Sequence, residues 1–395
     1  MTPFNWCFPT KLIFGQGRVC EVGTIAAQYG KKVMIATYTP GSALDPVINK
    51  VKSVLLAAGL DVTVFAGIEP NPRTQAIDKA VEIFNAEKCD LIIALGGGSI
   101  IDASKYIAAT AFSGGKSWDY VTCNDHVGRK YTGAFPIIAI PTVSASGSEV
   151  NASGVIKNTE TKEKTLSYSP YYLPKVAIVD PEILASVPLR LTQDSCIDIF
   201  SHLVELYLCD EDESEFSDRT TEGMILCVKD NFEKVLDDLG DAKVRGELAL
   251  CSVYSRSNFK AREHLDCMSM HAIQMPLSTH YDLPHGRGMV IIIPAYLEYL
   301  ADVLPHRWAK LARRCFGVTE TDDAKAAKML STEVVKWFKS TNSFLTLGDV
   351  SIPDEKFKKM AQDAVRIHSV NRATSHKGAH SISAADVLAI YKLCK

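Results

Sequence analysis

No apolar run reaches membrane-spanning length; the segment Met289–Pro294 falls far short, so no helical membrane anchor is expected. A basic stripe is also missing. Forty-three Lys and Arg are interspersed with 46 Asp and Glu for a net charge of -3, which argues against a nucleic-acid partner. The start, Met1-Thr2-Pro3-Phe4-Asn5-Trp6, has no charged stretch followed by an apolar one, so no secretory signal is expected. The 11 cysteines form no C-x-x-C pair, and Cys89, Cys196, Cys227 and Cys251 lie in apolar runs. Such cysteines are small buried hydrophobes, and an odd, unpatterned set suits a reducing compartment. Together these absences point to the cytoplasm. The chain also has no G-x-G-x-x-G fingerprint, internal repeat or low-complexity tract.

At 395 residues the chain exceeds one ordinary core, and two domains are expected, 1–185 and 186–395. In the first, β-rich runs at Val33–Thr37, Val62–Phe65, Leu91–Leu95, Ile137–Ile140 and Val176–Val179 alternate with helical stretches at Pro46–Gly59 and Thr74–Glu87. That alternation predicts parallel βαβ units, hence an α/β domain with a doubly wound, mostly parallel sheet. Phe8–Phe14 reads as an extra edge strand or a hairpin. Beyond Pro188 the β signals fade. Leu191–Leu208, Thr220–Leu239, Arg245–Lys260, Ala324–Lys339 and Asp354–Ile367 have helical periodicity, which predicts an all-α second domain. The acidic run from Asp210 reads as a solvated loop or helix start.

Leu95-Gly96-Gly97-Gly98-Ser99 follows directly on a buried strand and opens a helix that carries Asp102 and Lys105. Bare backbone N–H groups and a positive helix end in that context suit a pyrophosphate, although such a turn also serves plain chain reversal. The hydroxyl-rich stretch Pro141-Thr142-Val143-Ser144-Ala145-Ser146-Gly147-Ser148 reads equally as a cofactor-binding loop or a solvated one. After the first α/β strand, Tyr38 stands where dinucleotide sites discriminate their ribose. Neither a carboxylate nor a Lys or Arg that could hold a 2′-phosphate follows directly, and NAD(H) is favoured over NADP(H).

Asp198 and His202 are four apart and share a helix face; His271 lies on another apolar helix and His285 in a Pro-Gly turn. A carboxylate and three imidazoles can hold one divalent metal, Fe2+ or Zn2+, although Asp–His pairs also occur as plain core contacts. Glu205, one turn further on, reads as an acceptor behind a ligand.

Taken together, these motifs, with Ala177-Ile178-Val179-Asp180-Pro181 and His271-Ala272 through Pro284-His285-Gly286, resemble the iron-containing (group III) alcohol dehydrogenases over nearly the whole chain. The resemblance implies a dinucleotide-binding domain, a helical metal domain and an active site in the cleft between them. It implies Asp198, His202, His271 and His285 as metal ligands, and Gly97, Gly98, Ser99 and Asp102 as pyrophosphate contacts. Asn71, Thr142, Val143, Ser146 and Lys164 follow as further cofactor contacts. One position departs: Met275 stands where many members have a histidine that assists proton transfer. Methionine cannot relay a proton, which leaves His280 and Arg287 as nearby candidates.

The expected activity is metal-dependent, NAD(P)H-linked reduction of a small aldehyde, in a homodimer or larger homo-oligomer. Arg287, His280 and the Asn151–Ser153 loop raise the option of an anionic aldehyde such as sulfoacetaldehyde. The alternatives are a dehydroquinate-synthase-like lyase on the same architecture and a catalytically silent nucleotide-binding protein.

Overall fold

The structure is a computed structural model that describes residues 6–41, 43–123, 126–208, 214–256, 268–368 and 381–395. Most of the acidic run from Asp210 lies outside the described residues; its end, Glu215, begins a helix capped by Ser214.

The described residues gather into two compact units, 7–188 with 239–256, and Trp6 with 189–238 and the described residues from 268 onward. The first is built on a six-stranded sheet of order β1-β8-β5-β4-β2-β3. Its strands are β1 (Lys11–Phe14), β2 (Lys32–Thr37), β3 (Asp61–Ala66), β4 (Leu91–Gly96), β5 (Ile137–Pro141) and β8 (Val176–Val179). Every pairing in it is parallel, and β1 is an edge strand beside β8 rather than a hairpin arm. Central strands with both faces covered need apolar residues at every position, and β4 is buried throughout. Helices α1 (Val22–Ala26), α2 (Asp45–Ala57), α3 (Thr74–Ala86), α4 (Gly98–Ser113) and α5 (Pro181–Leu184) supply the cover. On one face Val22, Ile25, Val51 and Leu55 close over Val33, Ile35, Leu91, Ile93 and Ile138. An antiparallel hairpin, β6 (Ser153–Asn158) with β7 (Glu163–Tyr168), was not foreseen from the sequence. The Tyr106 hydroxyl ties it to α4 by donating to the Gly154 carbonyl at 2.9 Å.

Among the described residues beyond Pro188 every regular element is helical. They are α6 (Leu189–Leu208), α7 (Glu215–Asp237), α8 (Ala242–Ser255), α9 (Ser269–Tyr281), α10 (His285–Leu300), α11 (Pro305–Phe316), α12 (Asp323–Ser340), α13 (Phe357–His368) and α14 (Ala384–Leu393). Helix α8 lies with the sheet unit although it follows the expected boundary in sequence. Its Ala249 and Val253 complete an apolar cluster with Val150, Ala177, Val179 and Leu184. Gly246 brings it close to Phe14, where a Cβ would sit 3.1 Å from the ring. None of the described helices is long and apolar enough to cross a membrane.

Candidate functional site

Two groups of side chains stand out, one in each unit. In the sheet unit the chain reverses direction between β2 and β4: the connection from β2 leads outward to β3, and β4 is placed on the other side of β2. Ligands of open α/β sheets bind at the carboxyl ends of strands at such a point. The expected residues gather there. Gly97 is the N-cap of α4, and no side chain caps that helix. The glycines are needed for close approach: a Cβ on Gly97 would lie 3.0 Å from the Tyr38 hydroxyl and 3.7 Å from Val143, and one on Gly98 would lie 2.5 Å from Ser146 Oγ. Burial raises the Tyr38 hydroxyl pKa, opposed by a backbone hydrogen bond with Gly97. Thr142 Oγ1, beyond β5, is buried without a hydrogen-bond partner, and so is Thr37 Oγ1 at the end of β2. Two orphaned hydroxyls and an uncapped helix start fit a polar, anionic cofactor. Thr37 was not singled out from the sequence; its signal was its place at a strand end.

The other expected cofactor residues are engaged with protein. Asn71, at φ 57° in the turn Pro70-Asn71-Pro72, accepts a 2.8 Å hydrogen bond from Lys164 Nζ. The two oxygens of Asp102 accept from Ser148 Oγ and from the Val155 amide at 2.9 Å. Lys105 Nζ, fully buried, donates to Ser148 Oγ, Asn151 Oδ1 and the Ser153 carbonyl. Ser99 lies in the first turn of α4.

Buried Glu149 lies near this lysine, and desolvation, the largest influence, lifts its carboxyl to about 7 from 4.5. An acid with a raised folded-state pKa stabilises the fold below its unfolded value and loses that contribution as pH rises toward about 7. Wild-type stability should therefore fall relative to Glu149→Gln between about pH 5 and about pH 8, by at most ~3 kcal/mol. Urea unfolding of both proteins at the two pH values measures the difference.

In the helical unit Asp198, His202 and His271 are all buried, and one ligand-type atom from each lies within 4.8 Å of the others. Asp198 Oδ1 sits at the centre, 4.0 Å from His202 Nδ1, 3.9 Å from His271 Nε2 and 3.3 Å from His285 Nε2. It is buried and has no hydrogen-bond partner. A buried carboxylate oxygen facing three imidazoles is costly unless a cation sits among them. The donor set suits a divalent transition metal.

The groups behind the rings fix their tautomers. His271 Nδ1 lies 2.5 Å from Glu205 Oε2, so its proton sits there and Nε2 turns a lone pair to the cluster. The Met270 amide donates to the other oxygen of Glu205. His285 is less buried than the other three, and it does not lie in a turn as the Pro-Gly sequence suggested. It is the first residue of α10, with Pro284 at the N-cap at φ −55° and ψ 142°.

The two proton-transfer candidates are each held by a carboxylate. Arg287, 6% exposed, pairs with Asp194, Nη2 to Oδ1 at 2.9 Å and Nε to Oδ2 at 3.2 Å. His280 Nε2 lies 2.9 Å from Asp363 Oδ2, and Lys359 and Arg366 pair with the other oxygen. Met275 is buried one turn after His271. Asp194 and Gln274 were not marked by the sequence. Asp194 lies one turn before Asp198 on α6, the one sequence signal for it.

Comparison with known proteins agrees with both halves. A family model described as "Iron-containing alcohol dehydrogenase" matches residues 9–181, and one described as "Fe-containing alcohol dehydrogenase family, C-terminal" matches residues 192–394. The chain is 32% identical to the probable NADH-dependent butanol dehydrogenase 1 of Bacillus subtilis over 99% of both chains. It is 28% identical to the NADPH-dependent aldehyde reductase YqhD of Escherichia coli over 82% of both. The crystal structure of an NADH-dependent butanol dehydrogenase A from Thermotoga maritima superposes with a TM-score of 0.91 at 28% identity, covering 100% of this chain and 99% of that one. The chain belongs to the iron-containing alcohol dehydrogenase family. Within that class it is an NAD(P)-dependent alcohol dehydrogenase or aldehyde reductase.

Proposed function

We propose that this enzyme reversibly reduces a small, neutral aldehyde with NADH, using one divalent metal held by Asp198, His202, His271 and His285. The observation that carries this reading is the buried, unpartnered Asp198 Oδ1 facing three imidazole nitrogens. When bound, the metal, Fe(II) or Zn(II), would supply Lewis acidity toward a carbonyl oxygen, and the nicotinamide would supply the hydride. The protein's own part is orientation. Glu205 holds the His271 proton on Nδ1, and burial of three of the four ligand side chains keeps bulk water from them.

The cofactor is assigned to the α/β unit. Tyr38, Gly97, Gly98, Ser99, Thr142, Val143 and Ser146 would cradle it, with Asn71, Asp102 and Lys164 as further contacts. NADH is favoured over NADPH because no Lys or Arg lies from Thr37 to Asn49 to hold a 2′-phosphate. The butanol dehydrogenase relative, named as NADH-dependent, is in keeping with that choice. Met275 has no group that carries a proton, so a proton for the alcohol would have to come from another source. A homodimer or larger assembly in the cytoplasm completes the reading. The lyase alternative is not favoured, since the relatives are named as dehydrogenases and reductases.

A neutral substrate is preferred to sulfoacetaldehyde because Asp194 already balances Arg287 and Asp363 already faces His280. The test is turnover of butanal, sulfoacetaldehyde and succinic semialdehyde with NADH and NADPH, on protein of known metal content. Butanal with NADH should give the highest kcat/KM, and Arg287→Ala should change all three aldehydes alike. A loss confined to the two anionic aldehydes would restore the anionic reading.

A further inference from the structure

The third imidazole of the metal group, His285, is backed by a residue that the sequence did not mark. Gln274 lies on α9 and is fully buried. Its side chain reaches His285 across the α9–α10 corner, with Oε1 2.5 Å from the imidazole Nδ1. The direction of the amide follows from its other contact. Ser278 Oγ donates its one proton to the Leu283 carbonyl at 2.8 Å, so at its 3.0 Å contact with Gln274 it must accept, and the amide NH2 must face it. The carbonyl oxygen of Gln274 therefore faces His285. Since that oxygen only accepts, the imidazole proton is on Nδ1 and the Nε2 lone pair is turned toward Asp198.

Helix α10 is shaped to admit this amide. A Cβ on Gly288 would lie 2.3 Å from Gln274 Nε2 and 2.7 Å from its Cγ. Gly286 seats the same first turn on α6, where a Cβ would meet the Asp194 carbonyl oxygen at 2.8 Å.

We propose that Gln274 is the positioning residue for His285, holding its tautomer and ring direction for metal ligation. Its neutrality is part of the role. Asp198 and Glu205 already provide two buried negative charges, which balance a divalent cation among neutral imidazoles. A glutamate at 274 would add a third buried charge with no partner of opposite sign. The two ring-backing groups are thus unlike by construction: a carboxylate behind His271 and an amide behind His285.

This inference rests on the metal reading given above, and the experiment separates the two. Wild type, Gln274→Leu, Gln274→Glu and Gly288→Ala are loaded anaerobically with Co(II). Their visible absorption is recorded, and release to excess EDTA is timed at one pH. Gln274→Leu should release cobalt roughly 10- to 100-fold faster than wild type, with an altered spectrum. Gly288→Ala improves local helix propensity yet displaces the amide, so it should also speed release; it serves if the leucine variant does not fold. Gln274→Glu, which keeps an acceptor at this position, should release more slowly than Gln274→Leu. Wild-type protein that takes up no stoichiometric cobalt would overturn the metal reading itself. Stoichiometric uptake by wild type, with wild-type spectra and release rates in Gly288→Ala and in any folded Gln274→Leu, would overturn the role of Gln274 alone.

Discussion

Asp198→Ala should leave a folded protein that retains almost no divalent metal and turns over aldehyde roughly 10³-fold more slowly than wild type, the loss expected when several kcal/mol of charge stabilisation at a carbonyl oxygen disappears. Asp198 is chosen because it is the shared neighbour of all three imidazoles, with contacts of 3.3 to 4.0 Å from one oxygen. Removing it takes away the negative charge that would offset the proposed cation and opens a gap between α6 and the helices that carry His271 and His285. Elemental analysis and steady-state kinetics on the same preparation measure both effects. Chelation of wild type followed by addition of Fe(II) or Zn(II) supplies the complement: activity should vanish and then return. Full turnover by exhaustively chelated wild type would remove the metal from the mechanism.

The second large effect concerns stability. Asp194→Ala should cost about 3–5 kcal/mol, because it leaves the buried Arg287 guanidinium without its carboxylate. The pair spans two helices, from one turn ahead of Asp198 on α6 to the first turn of α10 two residues past His285. Its loss should therefore loosen the placement of His285 as well as the fold, and metal retention should fall alongside the urea midpoint. Replacing both partners with apolar residues of similar size, Asp194→Leu with Arg287→Met, should recover most of the stability, since no buried charge then lacks a partner. A double variant as unstable as the single one would show that the pair does more than neutralise itself.

This same pair depends on neighbours that local sequence does not specify. Arg287 in a Pro-His-Gly-Arg stretch looked like a free cation near a candidate ligand. Its partner lies 93 residues earlier, and the partner of His280 lies 83 residues later. Pairings of that span depend on how helices cross, which local periodicity does not encode. Gln274 is a similar case, an amide on an apolar helix that gained meaning only when α10 was placed against it. Helix α8 followed the helical pattern of its neighbours, yet its apolar face matched β8.

What the sequence by itself determined was local. The apolar runs of β2, β4, β5 and β8, the triple glycine that opens α4 and the Asp198–His202 spacing on α6 are fixed by backbone sterics and by the 2.0- and 3.6-residue periods. Those features, with their order, were enough to indicate the family. Only the tertiary structure decided which polar groups are balanced and which are left facing an open position. Thr37, Thr142 and Asp198 carry buried oxygens without hydrogen-bond partners, whereas Arg287 and His280 each form an ion pair with a carboxylate. The physical reason is that a charge's role is set by what lies within a few ångströms of it, and in a folded chain those neighbours come from distant sequence.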